Sequence, residues 1–288
     1  MTGHRPDILT DLILALPSQL DSHPPGCPAY ARLQARARTE VERLFSGANA
    51  EARAFGPFGD IVFPYHKMGA VDSLDLFGLD ELILFSFYWA NRRRYRRAID
   101  IGGNIGLHSV VLSRCEFKVR CYEPDPRHFQ LLKANLAANR CVHAEPVNRA
   151  VSSRAGSAEF VRVLGNTTGS HISGSKKNPY GPIERLPVEL EAISALEGAA
   201  DLFKIDAEGH EAEILRATGL AFWKKADAVI EIGSPENAAA VFDHLGGRNV
   251  RMFAQKIRWR PVRGLADMPT SHKEGSLFVT TKEEMPWT

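Results

Sequence analysis

The sequence predicts an α/β fold: a Rossmann-like core with flanking helices, preceded by an N-terminal helical extension. Three observations predict it. From Arg97 onward, short apolar runs alternate with amphipathic stretches, the trace left by parallel strands joined through right-handed crossovers. The first such run opens into a glycine-rich turn, Asp100-Ile-Gly-Gly-Asn-Ile-Gly106. Residues 1–54 carry apolar residues at helical spacing and no glycine-rich or acidic constellation, so they form the extension, and 55–288 form the main domain.

The bulk numbers agree. The 288 residues are 44% apolar and 24% charged, near the averages for a globular chain. With 36 basic and 34 acidic residues, a net charge of +2 gives no overall pull toward nucleic acid. The longest apolar run, Leu82 to Trp89, is interrupted by Ser86 and falls short of the ~20 residues of a membrane span. The first residues lack the long apolar stretch of a secretory leader. Cys27, Cys115, Cys121 and Cys141 form no Cys-x-x-Cys pair, so they read as reduced thiols of a cytoplasmic protein, with no metal expected.

In chain order, a helix spans Asp7 to Leu16 and stops at Pro17. Pro24-Pro25-Gly26 turns the chain, and a second helix covers Tyr30 to Phe45. Phe55 to Tyr65 has turn residues between apolar ones and suggests a hairpin. Asp80 caps a helix reaching about Arg93. Then come strand Arg97–Ile101, a helix from Gly106 to Arg114, strand Lys118–Tyr122, a helix from Pro126 to Asn139, and a short strand Val142–Pro146. Here the rhythm breaks. Ala158–Val163 and Pro187–Glu191 read as strands around a Gly/Ser/Asn-rich stretch, Gly165 to Pro182, too polar for a regular element and long enough to suggest a functional loop. The rhythm resumes with strand Leu202–Ile205, helix Glu208–Thr218, strand Ala228–Ile232, helix Pro235–Leu245, and strands near Val250–Phe253 and Ser276–Thr280.

The glycine turn is the first candidate site. Glycines allow positive φ and close ligand approach, and the helix that follows presents unpaired N–H groups to an anion. A dinucleotide pyrophosphate and the carboxylate of S-adenosylmethionine both suit such a turn. Spacing separates them, because G-x-G-x-x-G from Gly102 meets Asn104 and Leu107, and from Gly103 meets Ile105 and His108. The acid that opens the turn, Asp100, suits the methionine ammonium. Glu123 ends the next strand in Tyr122-Glu-Pro-Asp125, where an acid hydrogen-bonds ribose hydroxyls.

The second candidate is Leu202-Phe-Lys-Ile-Asp-Ala-Glu-Gly-His-Glu211. Lys204, Asp206 and Glu208 alternate and share a side of the strand and its extension. They fall at its carboxyl end, where open α/β sheets bind ligands. Methyl transfer to oxygen needs somewhere for the hydroxyl proton to go. His210 is a natural base, oriented by Glu208 or Glu211, and Asp206 and Glu208 are further candidates. The same acids also suit a helix N-terminus electrostatically. Asp206-Ala-Glu-Gly lacks the Asn/Asp-Pro-Pro-Tyr/Phe of nucleobase N-methyltransferases, which disfavours that chemistry. Asp206 and Glu231 could pair on magnesium, but a third ligand is not evident.

Together, Asp100–Gly106, Tyr122–Asp125, Phe203-Lys-Ile-Asp-Ala-Glu-Gly-His-Glu211 and Val229-Ile-Glu-Ile232 resemble the FkbM-type methyltransferases, from about residue 60 onward. The resemblance implies a seven-stranded class I methyltransferase fold that methylates hydroxyls of sugars, glycans or polyketide-like metabolites using S-adenosylmethionine. It implies a cofactor site on Asp100, Gly102, Gly103, Asn104, Gly106 and Glu123, with His108 near the methionine carboxylate and Asn148 on the adenine side. Competing readings are a catalytically silent cofactor-binding module and an NAD(P)-dependent oxidoreductase. The partner expected is a small-molecule or glycan acceptor, with peripheral contact to a lipid-linked one conceivable.

Three features stand outside this site. Arg92-Arg-Arg-Tyr-Arg-Arg97 holds five arginines and reads as a cationic helix end or as a patch for a phosphorylated or lipid-linked acceptor. Lys256, Arg258, Arg260 and Arg263 alternate with apolar residues like a half-exposed strand. His171, in the Asn166–Tyr180 loop, is a second candidate base.

Overall fold

The computed structural model describes residues 8–47, 51–176 and 181–287; the Lys177–Tyr180 part of the polar loop lies outside them. Helices α1 (Ile8–Ala15) and α2 (Pro28–Phe45) come first. Pro28 opens α2 and the Cys27 sulfur accepts the Tyr30 N–H. Strands β1 (Ala52–Ala54) and β2 (Asp60–Val62) form the small hairpin, and α3 follows over Leu79–Ala90. Asp80 does not cap α3. Gly78 precedes the helix, and the Asp80 carboxylate accepts from the Tyr30 hydroxyl and the Gln255 amide.

The core begins with β3 (Arg97–Ile101), α4 (Leu107–Arg114), β4 (Lys118–Tyr122), α5 (Pro126–Ala138) and β5 (Ala144–Val147). A second sheet is inserted next: β6 (Ala150–Ser152), β7 (Gly156–Val163), β8 (His171–Ile172) and β9 (Ile183–Ala192), in the order β6-β9-β7-β8. It explains the break in rhythm, since its long pair β7/β9 is antiparallel, with β7 running from an exposed start to a buried end. The core then continues with β10 (Leu202–Ile205), α6 (Glu211–Arg216), α7 (Leu220–Trp223), β11 (Asp227–Glu231), α8 (Pro235–Leu245), β12 (Arg251–Ala254), β13 (Arg260–Pro261) and β14 (Ser276–Thr280).

The main sheet has eight strands in the order β13-β12-β14-β11-β10-β3-β4-β5. The five from β5 to β11 are parallel; β14 runs antiparallel to them, and β12, antiparallel to β14, runs in the same direction as the five. Seven of the eight make the expected class I methyltransferase sheet; the two-residue β13 is an edge addition. Its central strand β10 is buried along its whole length, as a parallel strand covered on both faces must be. One face packs under α3, α4, α1 and α2: Leu9, Ile13, Val41 and Phe45 share a core with Phe85, Ala98 and Val110. The other packs under α6, α7 and α8 through Ile99, Phe203, Ile214, Trp223 and Val241.

Two expectations fail for local reasons. Helix α6 begins at Glu211, since Glu208 (φ 54°) and Gly209 (φ 98°) are left-handed and hold the chain in a turn. The basic run at 256–263 is not one strand. Arg258 (φ 64°) and Trp259 (φ 56°) are left-handed and reverse the chain between β12 and β13, and Trp259 is buried with its indole N–H on His23.

Candidate active site

The glycine turn sits at the carboxyl end of β3. The N–H groups of Gly102 and Gly103 both donate to the Tyr122 carbonyl, at 3.0 and 2.9 Å. Gly102 (φ 77°) has no room for a side chain: a Cβ there would lie 1.8 Å from the Asp206 carbonyl oxygen. The tightness comes from the protein's own second turn. At Gly103 a Cβ would lie 2.9 Å from a Leu132 methyl, and Gly106 (φ 93°) precedes α4 with Leu132 at 3.2 Å. Asp100 is fully buried. Its Oδ2 accepts from the Ser109 hydroxyl at 2.7 Å, while Oδ1 has no hydrogen bond and faces Lys204 Nζ at 3.7 Å.

Asn104 (φ 50°) donates its N–H to Glu123 Oε2 at 2.8 Å, and its buried side-chain oxygen has no partner. The other Glu123 oxygen takes the Asp125 N–H at 2.7 Å. Burial pushes Glu123 up to about 8, against the pull of those donors. Asn148 braces this strand end from an exposed position, donating to the carbonyls of Glu123 (2.8 Å) and Pro124 (3.1 Å). His108 turns toward α3 instead, with Nε2 2.7 Å from Glu81 and Nδ1 3.1 Å from the Tyr88 hydroxyl.

The second turn follows β10. Lys204 donates to the Gly102 carbonyl at 3.2 Å and lies 3.3 Å from Asp206 Oδ2. Burial works against its charge, yet Asp206 and Asp100 hold its ammonium more firmly protonated than an ordinary lysine. Glu208 pairs with Lys176. Burial and the neighbouring Asp206 charge push Glu208 up to about 7. Glu211 is buried and takes the N–H groups of Ala207 (2.7 Å) and Gly209 (3.1 Å) and the Asn237 amide. His210 touches neither glutamate. Its Nε2 meets the Ser152 hydroxyl at 2.9 Å and its Nδ1 the Ser175 hydroxyl at 3.0 Å. Burial lowers its pKa, which keeps the ring neutral. Glu231 ends β11; burial and then the Asp206, Glu81 and Glu208 charges push it well above the carboxylate range. Among the described residues no three His, Cys, Asp or Glu side chains are placed to hold a metal.

Both turns face one cleft of about 630 Å³. Gly102, Asn104, Glu123, Asp206, Glu208 and His210 line it together, and the inserted sheet adds Val151, Phe160 and Ile172 as an apolar wall. Its roof is the first part of the polar stretch. Gly165 accepts the Ala70 N–H at 2.7 Å, and the Thr167 hydroxyl meets His128 at 2.9 Å. His171 is buried in this roof, with Nδ1 3.1 Å from the Gly169 carbonyl.

Sequence reasoning missed three groups. Arg162, buried in β7, pairs with Asp125, the residue capping α5, and also reaches Glu184. Its signal was an arginine inside the apolar run Phe160-Val-Arg-Val163. Lys176 and Glu81 carried no local signal, because their partners lie far away in the chain.

The sheet of five parallel strands with its antiparallel edge, and the two turns meeting at the strand ends, define a class I methyltransferase. Residues 100–252 match the Methyltransferase FkbM domain, more than half of the chain, and the protein belongs to that family. It is similar to methyltransferase sdnD of Sordaria araneosa, 26% identical over 201 residues that cover 57% of this chain and 76% of that one. Among solved structures it resembles a precorrin-6y C5,15-methyltransferase from Geobacter metallireducens, with 10% identity, 66% and 82% of the two chains covered and a TM-score of 0.36. It also resembles an O-methyltransferase from Bacillus cereus in complex with SAH, at 11% identity, 69% and 80% coverage and a TM-score of 0.36.

Proposed function

We propose that this methyltransferase uses S-adenosylmethionine and delivers the methyl group to a hydroxyl of a sugar, glycan or secondary metabolite. The observation that carries the reading is the meeting of buried Glu123 and half-buried Glu208, two carboxylates of raised pKa, in one cleft closed by the glycine turn.

The residues fit the cofactor. Asn104, which lines the cleft, has a buried Oδ1 without a hydrogen bond among the described residues, and that oxygen suits the methionine ammonium, while buried Asp100 lies behind it against Lys204. The first N–H groups of α4, behind Gly106, suit its carboxylate. Glu123 suits the ribose hydroxyls, whose donors offset the cost of burying its charge. Val151, Phe160 and Ile172 offer an apolar surface for the base. When bound, the sulfonium supplies an activated methyl group.

The chain's own part is to hold the acceptor and remove its proton. Glu208 suits that task, because a carboxyl group with a pKa near 7 is half ionised at neutral pH. His210 acts as a positioning residue in this reading, joining the roof through Ser175 to β6 through Ser152. Asp206 stays beside the Lys204 ammonium and keeps the Glu208 pKa high.

Calorimetric titration with S-adenosylmethionine and NADH tests the cofactor; binding of NADH alone overturns the reading. Methyl incorporation across a panel of nucleotide sugars and glycans tests the acceptor class. Cofactor binding with no incorporation into any acceptor would favour a silent binding module.

A further inference from the structure

The arginine run at 92–97 lies at the amino ends of the parallel strands, opposite the cleft. It precedes β3, whereas the glycine turn follows β3, so the two are separated by a five-residue strand, roughly 16 Å of chain. The patch therefore takes no part in holding an acceptor in the cleft. Helix-end chemistry accounts for only some of its members. Arg92 donates to the Trp89 carbonyl and stacks on the Trp89 ring at 4.1 Å. Arg97 pairs with Asp201 and donates to the Gly198 carbonyl. Arg93, Arg94 and Arg96 are exposed, and none of their guanidinium groups has an acidic or carbonyl partner among the described residues.

The neighbouring strands extend the charge. Lys118 lies beside Arg97 in the sheet register, and its N–H donates to the Arg96 carbonyl at 2.9 Å. His143 joins the next strand through its carbonyl on the Val119 N–H. Lys118 and Arg140 are exposed and unpaired among the described residues. Most acids of this end are already engaged. Asp201 takes Arg97 and the N–H groups of Arg96 and Arg97, Asp227 takes Tyr95, Thr280 and Lys282, and Glu145 takes Arg120. Among the described residues, Glu116 and Glu284 stand exposed and without an ion-pair partner beside it. A chain of net charge +2 thus groups five exposed cations, Arg93, Arg94, Arg96, Lys118 and Arg140, whose side chains have no acidic partner among the described residues, around the starts of β3, β4 and β5.

We infer that this end of the sheet docks the protein on the surface of a membrane carrying anionic lipids. Val142, 82% exposed between Arg140 and His143, adds an apolar tip among the cations, as headgroup contact favours. A single-stranded nucleic acid would need stacking platforms, but Tyr95 and Phe117 are buried here and the Trp89 ring is covered by Arg92. No helix among the described residues is long and apolar enough to cross a membrane, so the contact is peripheral. It leaves the cleft facing away from the lipid.

The test is co-sedimentation of the full chain with phosphatidylcholine vesicles, with and without about a third phosphatidylserine, at about 0.1 M salt, where exposed charges act over ~10 Å. Binding to the anionic vesicles alone, lost at high salt, is expected. The triple variant Arg93→Glu, Arg94→Glu, Arg96→Glu should lower partitioning on the order of 100-fold. A charge-matched control, Arg32→Glu, Arg154→Glu, Arg248→Glu, should retain most of it. Circular dichroism of both variants checks folding; if the triple variant misfolds, Lys118→Glu with Arg140→Glu replaces it. Equal losses in patch and control variants, equal binding to neutral vesicles, or binding to a uridine oligonucleotide but not to vesicles would each overturn the inference.

Discussion

The two turns that meet over the sheet are built on opposite principles. The glycine turn is shaped by missing side chains: its N–H groups bond to the Tyr122 carbonyl, and Gly102 lies against the backbone of Asp206. The acidic turn is shaped by one buried side chain, since Glu211 collects the N–H groups of Ala207 and Gly209 and holds Glu208 in a left-handed conformation over the cleft. The first turn rests mainly on backbone contacts, with a single carboxylate contact, the Asn104 N–H on Glu123. The second carries its chemistry and its scaffold on neighbouring carboxylates, so its order depends on pH.

The sharpest way to break this comparison is Gly102→Val. With its Cβ 1.8 Å from a backbone oxygen, the substitution should cost ~3 kcal/mol or more in folding stability, read by urea denaturation. A variant of normal stability that has only lost cofactor would show that the glycine serves the ligand alone. Glu208→Gln comes next: turnover should fall ~10²–10⁴-fold with S-adenosylhomocysteine affinity nearly unchanged. An equal loss in affinity would make Glu208 a binding group. Glu211→Ala leaves the turn's donors without their acceptor and should cost ~2 kcal/mol, while Glu211→Gln, which keeps an acceptor, should cost less. Equal effects would remove Glu211 from the clamp role.

The smallest effects are in pH. Glu211, Glu208 and Glu123 are raised in the folded protein from 4.5 to about 6, 7 and 8. The folded state therefore favours their protonated forms. The stability they contribute is complete below pH 4.5 and is lost as pH rises through those values. Thermal unfolding of the ligand-free protein should occur at lower temperature at pH 8 than at pH 6; a flat profile would contradict the raised values. Ribose hydroxyls on Glu123 would favour its ionised form. Cofactor binding near neutral pH should then release up to roughly one proton, measured by calorimetry in buffers of different ionisation enthalpy, and Glu123→Gln should abolish that release.

The legibility of the site follows the same division. The glycine turn, Glu123 and the Asp206–Glu211 segment were readable because each is a contiguous run whose residue types suit one local geometry. The strands were readable where they are buried on both faces, as in β10. Reading failed where the deciding atom came from elsewhere. His210 looked like a histidine with adjacent carboxylate partners, but it bonds to Ser152 and Ser175. The Glu81 partner of His108, which the resemblance puts near the methionine carboxylate, comes from α3 and was not readable locally. The helix placed at Glu208 starts three residues later because the turn needs its left-handed pair.

The sequence by itself determined the class of protein, through the α/β alternation and the two signature turns, since hydrophobic period and glycine placement act within a few residues. Only the tertiary structure decided which groups answer one another across the cleft. Lys176 meets Glu208, Arg162 meets Asp125, and the Asp206 carbonyl excludes any side chain at Gly102. The physical reason is that hydrogen bonds, ion pairs and steric contacts act over a few ångströms of space, whatever the separation along the chain.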